Sequence, residues 1–383
     1  MSAIAGTKSS LTWAVHISAV LLVALWLFPT AGLLISSFRT ADQISNSGWW
    51  NALFESEQNL VIRAADPEEN RVEQGDFYFV EGSLFDEGSE SVISVWGTSS
   101  REINIYKAGE TADLGDGETF TLEANGDYVW SGKDDQISGR AQRVFATATS
   151  PPEFTFGNYD QILFSGSNTD NMAKAFFNTL TVTIPATIIP IVVAAFAAYA
   201  LAWMDFPGRA LLIAIIVGLL VVPLQLALIP LLKLHLNIGI GKGYLGTWMA
   251  HTGFGLPLAI YLLRNYMIGL PRDIIENAKV DGATDFQIFS KIVLPLSFPA
   301  LASFAIFQFL WTWNDLLVAK VFLIDSTGET TVMTAQIVEL LGTRGGNWEI
   351  LATAAFVSIA VPLAVFFAMQ RFLVRGLLAG SVK

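Results

Sequence analysis

Arg264 to Pro295 reads RNYMIGLPRDIIENAKVDGATDFQIFSKIVLP, a largely polar stretch held between two apolar runs. Pro271 opens a helix at a position where a missing N–H costs nothing, Asp273 and Glu276 put negative charge in its first turns, and Asp281-Gly282 ends it. Thr284 and Gln287 have capping-box spacing for a second short helix, whose apolar face is Phe286, Phe289 and Val293. Leu294-Pro295 then leads into the next apolar run. Small residues at Ala278, Gly282 and Ala283 suit close backbone approach to a partner surface, so this hairpin, residues 264–295, is expected to dock.

The sequence around it is that of a membrane protein. Of 383 residues, 52% are hydrophobic and only 15% charged, which excludes an ordinary soluble domain and a disordered chain. A bilayer core of roughly 30 Å needs about 20 mostly apolar residues in a helix. Six runs qualify: Leu11 to Phe38, Ala173 to Trp203, Ala210 to Leu232, Tyr244 to Leu263, Ser297 to Val318 and Ile350 to Leu373. The first has an apolar stretch too long for a signal peptide and no clear small-x-small cleavage site after it. With the N-terminus inside, Lys8, Arg209, Arg264, Arg272, Lys279, Lys291, Arg371, Arg375 and Lys383 fall on the cytoplasmic side, against Lys233, Lys242, Lys320 and Arg344 in short loops opposite. That asymmetry predicts a multi-pass chain with both termini in the cytoplasm.

Between the first two runs the chain is acidic, with 24 Asp and Glu against 8 Lys and Arg from Arg39 to Met172, inside an overall net charge of −12. Asp76–Val80, Ser91–Trp96, Glu102–Tyr106 and Thr119–Leu122 are β-branched and aromatic, and turn signals stand at Gly82, Gly97, Gly115 to Gly117 and Asn125-Gly126. The expected architecture is therefore all-α and polytopic with six transmembrane helices. Its parts are residues 1–38 (N-terminus and first span), an extracytoplasmic β-rich insert, sandwich or barrel, at 39–172, and the other spans at 173–383. The acidic cluster Asp113, Asp116 and Glu118 lacks the DxDxDG order of a calcium loop and reads as a solvated turn.

Several chemistries are excluded. No cysteine is present, which removes disulfides, thiolate metal sites and cysteine nucleophiles, and His16, His235 and His251 lack metal-site spacing. A phosphate loop GxxxxGK[ST] is absent; Gly239 to Gly243 is the nearest string and has Leu236 and Gly243 where glycine and a hydroxyl belong. The spans carry no series of buried ionisable residues of the kind that marks an ion-driven transporter, Asp315 being the one acid deep in an apolar run. A motor on another chain is expected, and no nucleic-acid partner.

Glu276-Asn277-Ala278-Lys279-Val280-Asp281-Gly282-Ala283, followed by Ile292 and Leu294-Pro295, resembles the EAA motif of ABC importer permeases, E-A-A-x-x-x-G-x9-I-x-L-P, with Asn277 in place of the first alanine. Asp281-Gly282-Ala283, Leu270-Pro271, Trp313-Asn314-Asp315 and Gln370-Arg371-Phe372 with Gly376 and Gly380-Ser381-Val382-Lys383 resemble the carbohydrate branch, its maltose-G-like subunit in particular. The long insert is similar to that of α-glucoside permeases. The resemblance covers about Asn178 to Lys383. It implies the ABC importer permease fold in a bacterial inner membrane. It also implies a second permease subunit, two ATP-binding subunits that hold ATP and Mg, so that this chain carries no cofactor, and an extracytoplasmic sugar-binding protein. The hairpin becomes the coupling element, with Glu276 facing the ATPase.

Trp311, Trp313, Asn314 and Asp315 offer aromatic faces and polar groups to a sugar, or else form a polar cluster that bonds neighbouring helices. Asn178 and Gln225 could line the same path; Gln225, beside Pro223, is more simply a partner for backbone groups freed by that proline. His251 is expected to be a hydrogen-bonded bundle histidine. Two other classes stay open, an ion-driven secondary transporter and a membrane receptor or assembly factor with an external ligand domain.

Overall fold

A computed structural model describes residues 10–85, 90–164, 171–324 and 326–379; Lys8 and the terminal Gly380 to Lys383 lie outside the described residues. The chain resolves into two compact units, Met1–Asn158 with Asn347–Thr353, and Tyr159–Gly346 with Ala354–Lys383.

In the first unit, α1 (Ser10–Ser36) is an apolar helix with exposed side chains from Leu11 to Pro29 apart from half-buried Thr12, and half-buried or buried side chains over most of its final turns. Among the described residues nine strands follow: β1 (Ser56–Arg63), β2 (Arg71–Gln74), β3 (Phe77–Ser83), β4 (Val92–Gly97), β5 (Tyr106–Lys107), β6 (Thr111–Gly115), β7 (Glu118–Leu122), β8 (Asp127–Gly132) and β9 (Arg143–Ser150). They form two antiparallel sheets, β1-β9-β4-β5 and β2-β3-β8-β7-β6. Strand β9 shows why: Val144, Ala146, Ala148 and Ser150 alternate inward while their neighbours face out. Side chains from both sheets, among them Ile93, Trp96, Phe120, Trp130 and Val144, share one buried core, so the insert is a sandwich.

Two details differ from expectation. Glu102–Tyr106 does not form a strand; the chain folds back so closely at Gly97 that a Cβ there would stand 2.1 Å from the Glu102 carbonyl oxygen, and only Tyr106 joins a sheet. Gly82 lies inside β3 rather than at a turn, where its lack of a side chain lets the Tyr128 hydroxyl pass and accept a hydrogen bond from the Ala65 N–H at 2.6 Å. The acidic cluster is used locally. Asp113 accepts from the Gly115 N–H at 2.9 Å and Glu118 from the Trp130 indole at 2.8 Å.

The sandwich leaves and rejoins the chain at one knot. The Thr155 N–H donates to the Phe38 carbonyl at 2.7 Å, and the buried Asn158 amide donates to the carbonyls of Ser37 and Arg39 at 3.0 and 2.9 Å. Arg39, itself buried, donates to the Gln43 carbonyl at 2.6 Å and the Ser47 carbonyl at 3.0 Å.

The second unit is helical: α2 (Met172–Trp203), α3 (Arg209–Leu219), α4 (Leu224–Asn237), α5 (Tyr244–Ile268), α6 (Arg272–Val280), α7 (Asp285–Leu296), α8 (Phe298–Trp313), α9 (Leu317–Phe322) and α10 (Met333–Thr343), with α11 (Trp348–Ala379) running through both units. Ala194, Ala195 and Ala198 of α2 pack in one core with Ala259, Leu263 and Met267 of α5, small residues that let the two backbones come close.

Among the described residues, three helices are long and apolar enough to cross a membrane, or up to five if each bent pair counts once. The run Ala210–Leu232 is not one straight span. It breaks by 113° between α3 and α4, where Leu220, Val221 and Val222 turn through three-residue backbone bonds and Pro223, lacking an N–H, starts the new direction. A 70° bend likewise separates α7 from α8. Helix α5 has 25 residues, length enough to span, but Thr247, His251 and Thr252 on its buried face dilute its apolarity.

Candidate functional site

The hairpin is built by local chemistry. Pro271 stands just before α6, and at the other end Gly282 adopts φ 79°. The Gly282 N–H bonds the Lys279 carbonyl and the Ala283 N–H bonds the Ala278 carbonyl, at 3.1 and 3.0 Å, which is the Schellman pattern with glycine at the left-handed position. Ala278 and Ala283 are therefore drawn together by the turn itself, and where a Gly282 Cβ would stand the space is open. Thr284 and Gln287 complete a reciprocal capping box. The helix then widens into a π-turn over Phe289–Val293 just before Pro295.

Packing fixes the hairpin to the spanning helices. Ile275, Ile288, Phe289 and Val293 sit in the same core as α2 and α5, and the Tyr199 hydroxyl of α2 donates to Asp285 Oδ1 at 3.2 Å. The Phe289 ring lies 4.6 Å from Phe196 and 5.4 Å from Tyr199. This seating turns Phe286 outward, contrary to the expected apolar face; it is 66% exposed, and Val280 is 86% exposed.

Of the expected coupling residues, Glu276, Asn277, Asp281, Gly282 and Pro295 are exposed, while Ala278, Ala283, Ile292 and Leu294 are half-buried. Glu276 accepts a hydrogen bond from Arg272 Nε at 2.7 Å, one turn earlier. Arg272, Ile275, Glu276 and Lys279 face Trp203, Arg209 and Ile268 across a cavity of about 420 Å³. Arg209 closes the end of α2, donating to the carbonyls of Met204 and Ala202 at 3.1 and 3.3 Å.

The residues expected along a solute path divide. Trp313 is buried and its indole donates to the Ser358 carbonyl at 3.0 Å, so it offers no surface to a solute in this conformation. The Asp315 side chain is only 8% exposed; its Oδ2 accepts from the Ala319 N–H at 3.1 Å at the start of α9 and lies 3.8 Å from His251 Nε2. Trp311 sets its ring edgewise to His251 at 5.9 Å and keeps exposed surface, as do Asn314 and Gln225. Gln225 stands in the first turn of α4 rather than on α8. Asn178 ties three segments, donating to the carbonyls of Glu329 and Thr331 and accepting from the Tyr244 hydroxyl. His251 departs from expectation: it is buried, yet neither ring nitrogen has a hydrogen-bond partner.

Reading residues singly missed Gln308 and Trp248. In a helix, a proline removes the donor that the carbonyl four residues earlier would accept. Pro185 and Pro190 in α2 leave the carbonyls of Thr181 and Ala186, and these accept from Trp248 Nε1 at 2.9 Å and Gln308 Nε2 at 3.0 Å. Pro362 in α11 leaves Ser358, which Trp313 takes. The prolines were the available signal, for they mark the acceptors if not the donors.

Comparison with known proteins fits this geometry. The family described as binding-protein-dependent transport system inner membrane component matches residues 163–378. The α-glucoside transport system permease protein AglG of Rhizobium meliloti is 58% identical over 381 residues, 98% of each chain. The osmoprotective compounds uptake permease protein GgtD of Synechocystis sp. is 51% identical over 69% of this chain and 88% of that protein. The trehalose transport system permease protein SugB of Mycobacterium tuberculosis is 35% identical over 61% of this chain and 84% of its own. With its capped hairpin and long apolar helices, the chain belongs to the inner-membrane components of binding-protein-dependent transport systems, the permease subunits of ABC importers.

Proposed function

We propose that this chain passes an α-glucoside into the cytoplasm. In this reading it works beside a second permease subunit, two ATP-binding subunits that hold ATP and Mg, and an extracytoplasmic sugar-binding protein. In the same reading the chain crosses six times, counting α5 and each bent pair once, with both termini in the cytoplasm, as lysine and arginine placement predicts, and the insert of residues 39–172 outside. The observation that carries the solute class is the 58% identity to an α-glucoside permease across 98% of both chains, insert included.

Coupling falls to the hairpin. Val280 and Phe286 project from it while Ile275, Ile288, Phe289 and Val293 anchor it, so a push from an ATPase reaches α2 and α5 directly. Trp311, Asn314 and Gln225 keep surface for a solute, whereas Trp313 and Asp315 serve as scaffold.

The test is ATPase activity of the reconstituted importer with its binding protein, across a panel of α- and β-linked disaccharides. Stimulation confined to α-linked glucosides is expected. Stimulation by none of them, or equally by both linkages, overturns the α-glucoside reading.

A further inference from the structure

The root of the insert carries an apolar surface that the transport reading does not use. From Leu11 to Pro29, α1 is exposed on nearly all faces, with Leu11, Leu25 and Trp26 about seven-tenths exposed or more. At 1.5 Å per residue this bare stretch is roughly 28 Å long, close to the ~30 Å hydrocarbon core of a bilayer. Where it ends, the chain returns to it. Trp49 packs on Phe28 with ring centroids 4.5 Å apart and fills the groove over Gly32, where a Cβ would stand 2.6 Å from the indole nitrogen. Trp50 stacks on Phe28 at 6.4 Å. A single turn on, Leu53 and Phe54 project at 75% and 68% exposure. From Gln43 to Phe54 there is no charged residue.

We propose that Trp50, Leu53 and Phe54 rest in the headgroup–acyl boundary of the leaflet at the C-terminal end of α1, and that this contact holds the root of the sandwich against the membrane. The occupant is lipid because the surface is continuous with the bare face of α1 through Phe28, and because it begins where one hydrocarbon thickness ends. Tryptophan beside large apolar side chains suits that depth, with apolar rings inward and indole N–H groups toward the headgroups. Left in water, each of these side chains would forgo the free energy of apolar burial. The inference stands apart from the identity of the solute.

The chain has no cysteine, so one label reports one site. Leu53→Cys and Phe54→Cys would each carry a nitroxide in the assembled importer, reconstituted in bilayers of phosphatidylcholine and phosphatidylglycerol. Collision with oxygen is compared with collision with a water-soluble nickel chelate. Oxygen access several-fold above nickel access is expected at both sites, as at a Leu21→Cys control, with the reverse at Asp135→Cys on the sandwich. Nickel access like that of Asp135→Cys overturns the proposal, and so does shielding from both reagents, which would mean that a protein chain covers the patch. Asn51→Cys, exposed in the same turn, gives the same reading if an apolar variant fails to assemble.

Discussion

Trp313 Nε1 lies 3.0 Å from the carbonyl oxygen of Ser358, the acceptor that Pro362 leaves without a donor four residues on. An indole on α8 thereby completes the backbone of α11. Side-chain hydrogen bonds between membrane helices contribute about 0.6 kcal/mol on average and up to ~1.7. Trp313→Phe is therefore expected to lower the thermal stability of the purified complex by about 1 kcal/mol or somewhat more, since a void is also left. Pro362→Ala, which restores the helical donor to Ser358, should recover part of that loss in the double variant. Full stability in Trp313→Phe together with impaired sugar uptake would instead return Trp313 to the solute path.

Gly282 is needed for its φ of 79° rather than for space. Gly282→Ala is expected to cost about 1 kcal/mol locally, loosening the Schellman turn, and Gly282→Asn less, because asparagine tolerates the left-handed region. Binding-protein-stimulated ATPase should fall in the order glycine, asparagine, alanine, while basal ATPase and membrane insertion hold. Equal stimulation in all three would separate the turn from coupling.

Glu276 and Arg272 form an exposed pair, with side chains 56% and 79% accessible, so the pair adds at most a few tenths of a kcal/mol to stability. Glu276→Arg is expected to abolish uptake and weaken ATPase binding at unchanged thermal stability, since it reverses the charge offered to the partner. Uptake at the parental rate would remove Glu276 from the docking surface.

Topology has a direct readout. A cysteine at Val280, the most exposed apolar position of the hairpin, should react only with reagent on the cytoplasmic side, and one at Asp135 only from outside. The reverse pattern, or access from both sides, would overturn the orientation drawn from lysine and arginine placement.

The hairpin was legible because its signals are local: the capping pair Thr284 and Gln287 and the turn at Gly282 act within a few residues of chain. Strand alternation in the insert was legible for the same reason. The break at Leu220–Pro223 was not, because Val221, Val222, Leu224 and Leu226 keep the run apolar through the bend, and apolarity carries no direction. Phe286 was misplaced because its neighbours Asp285 and Phe289 are seated by Tyr199 and Phe196, some ninety residues earlier. Trp313 stayed open between a sugar face and a bond to a neighbouring helix because its acceptor is made by a proline 49 residues away.

The knot at Phe38, Arg39, Thr155 and Asn158 brings the two ends of the sandwich to hydrogen-bonding distance. A module whose entrance and exit coincide can be gained or lost in a single genetic event, because the chain that remains needs only a residue or two to close the gap. Beyond the root at Trp49 to Phe54, which packs on α1, the roughly one hundred residues up to Thr155 are thus free to diverge in sequence at their own pace, answerable to that joint alone.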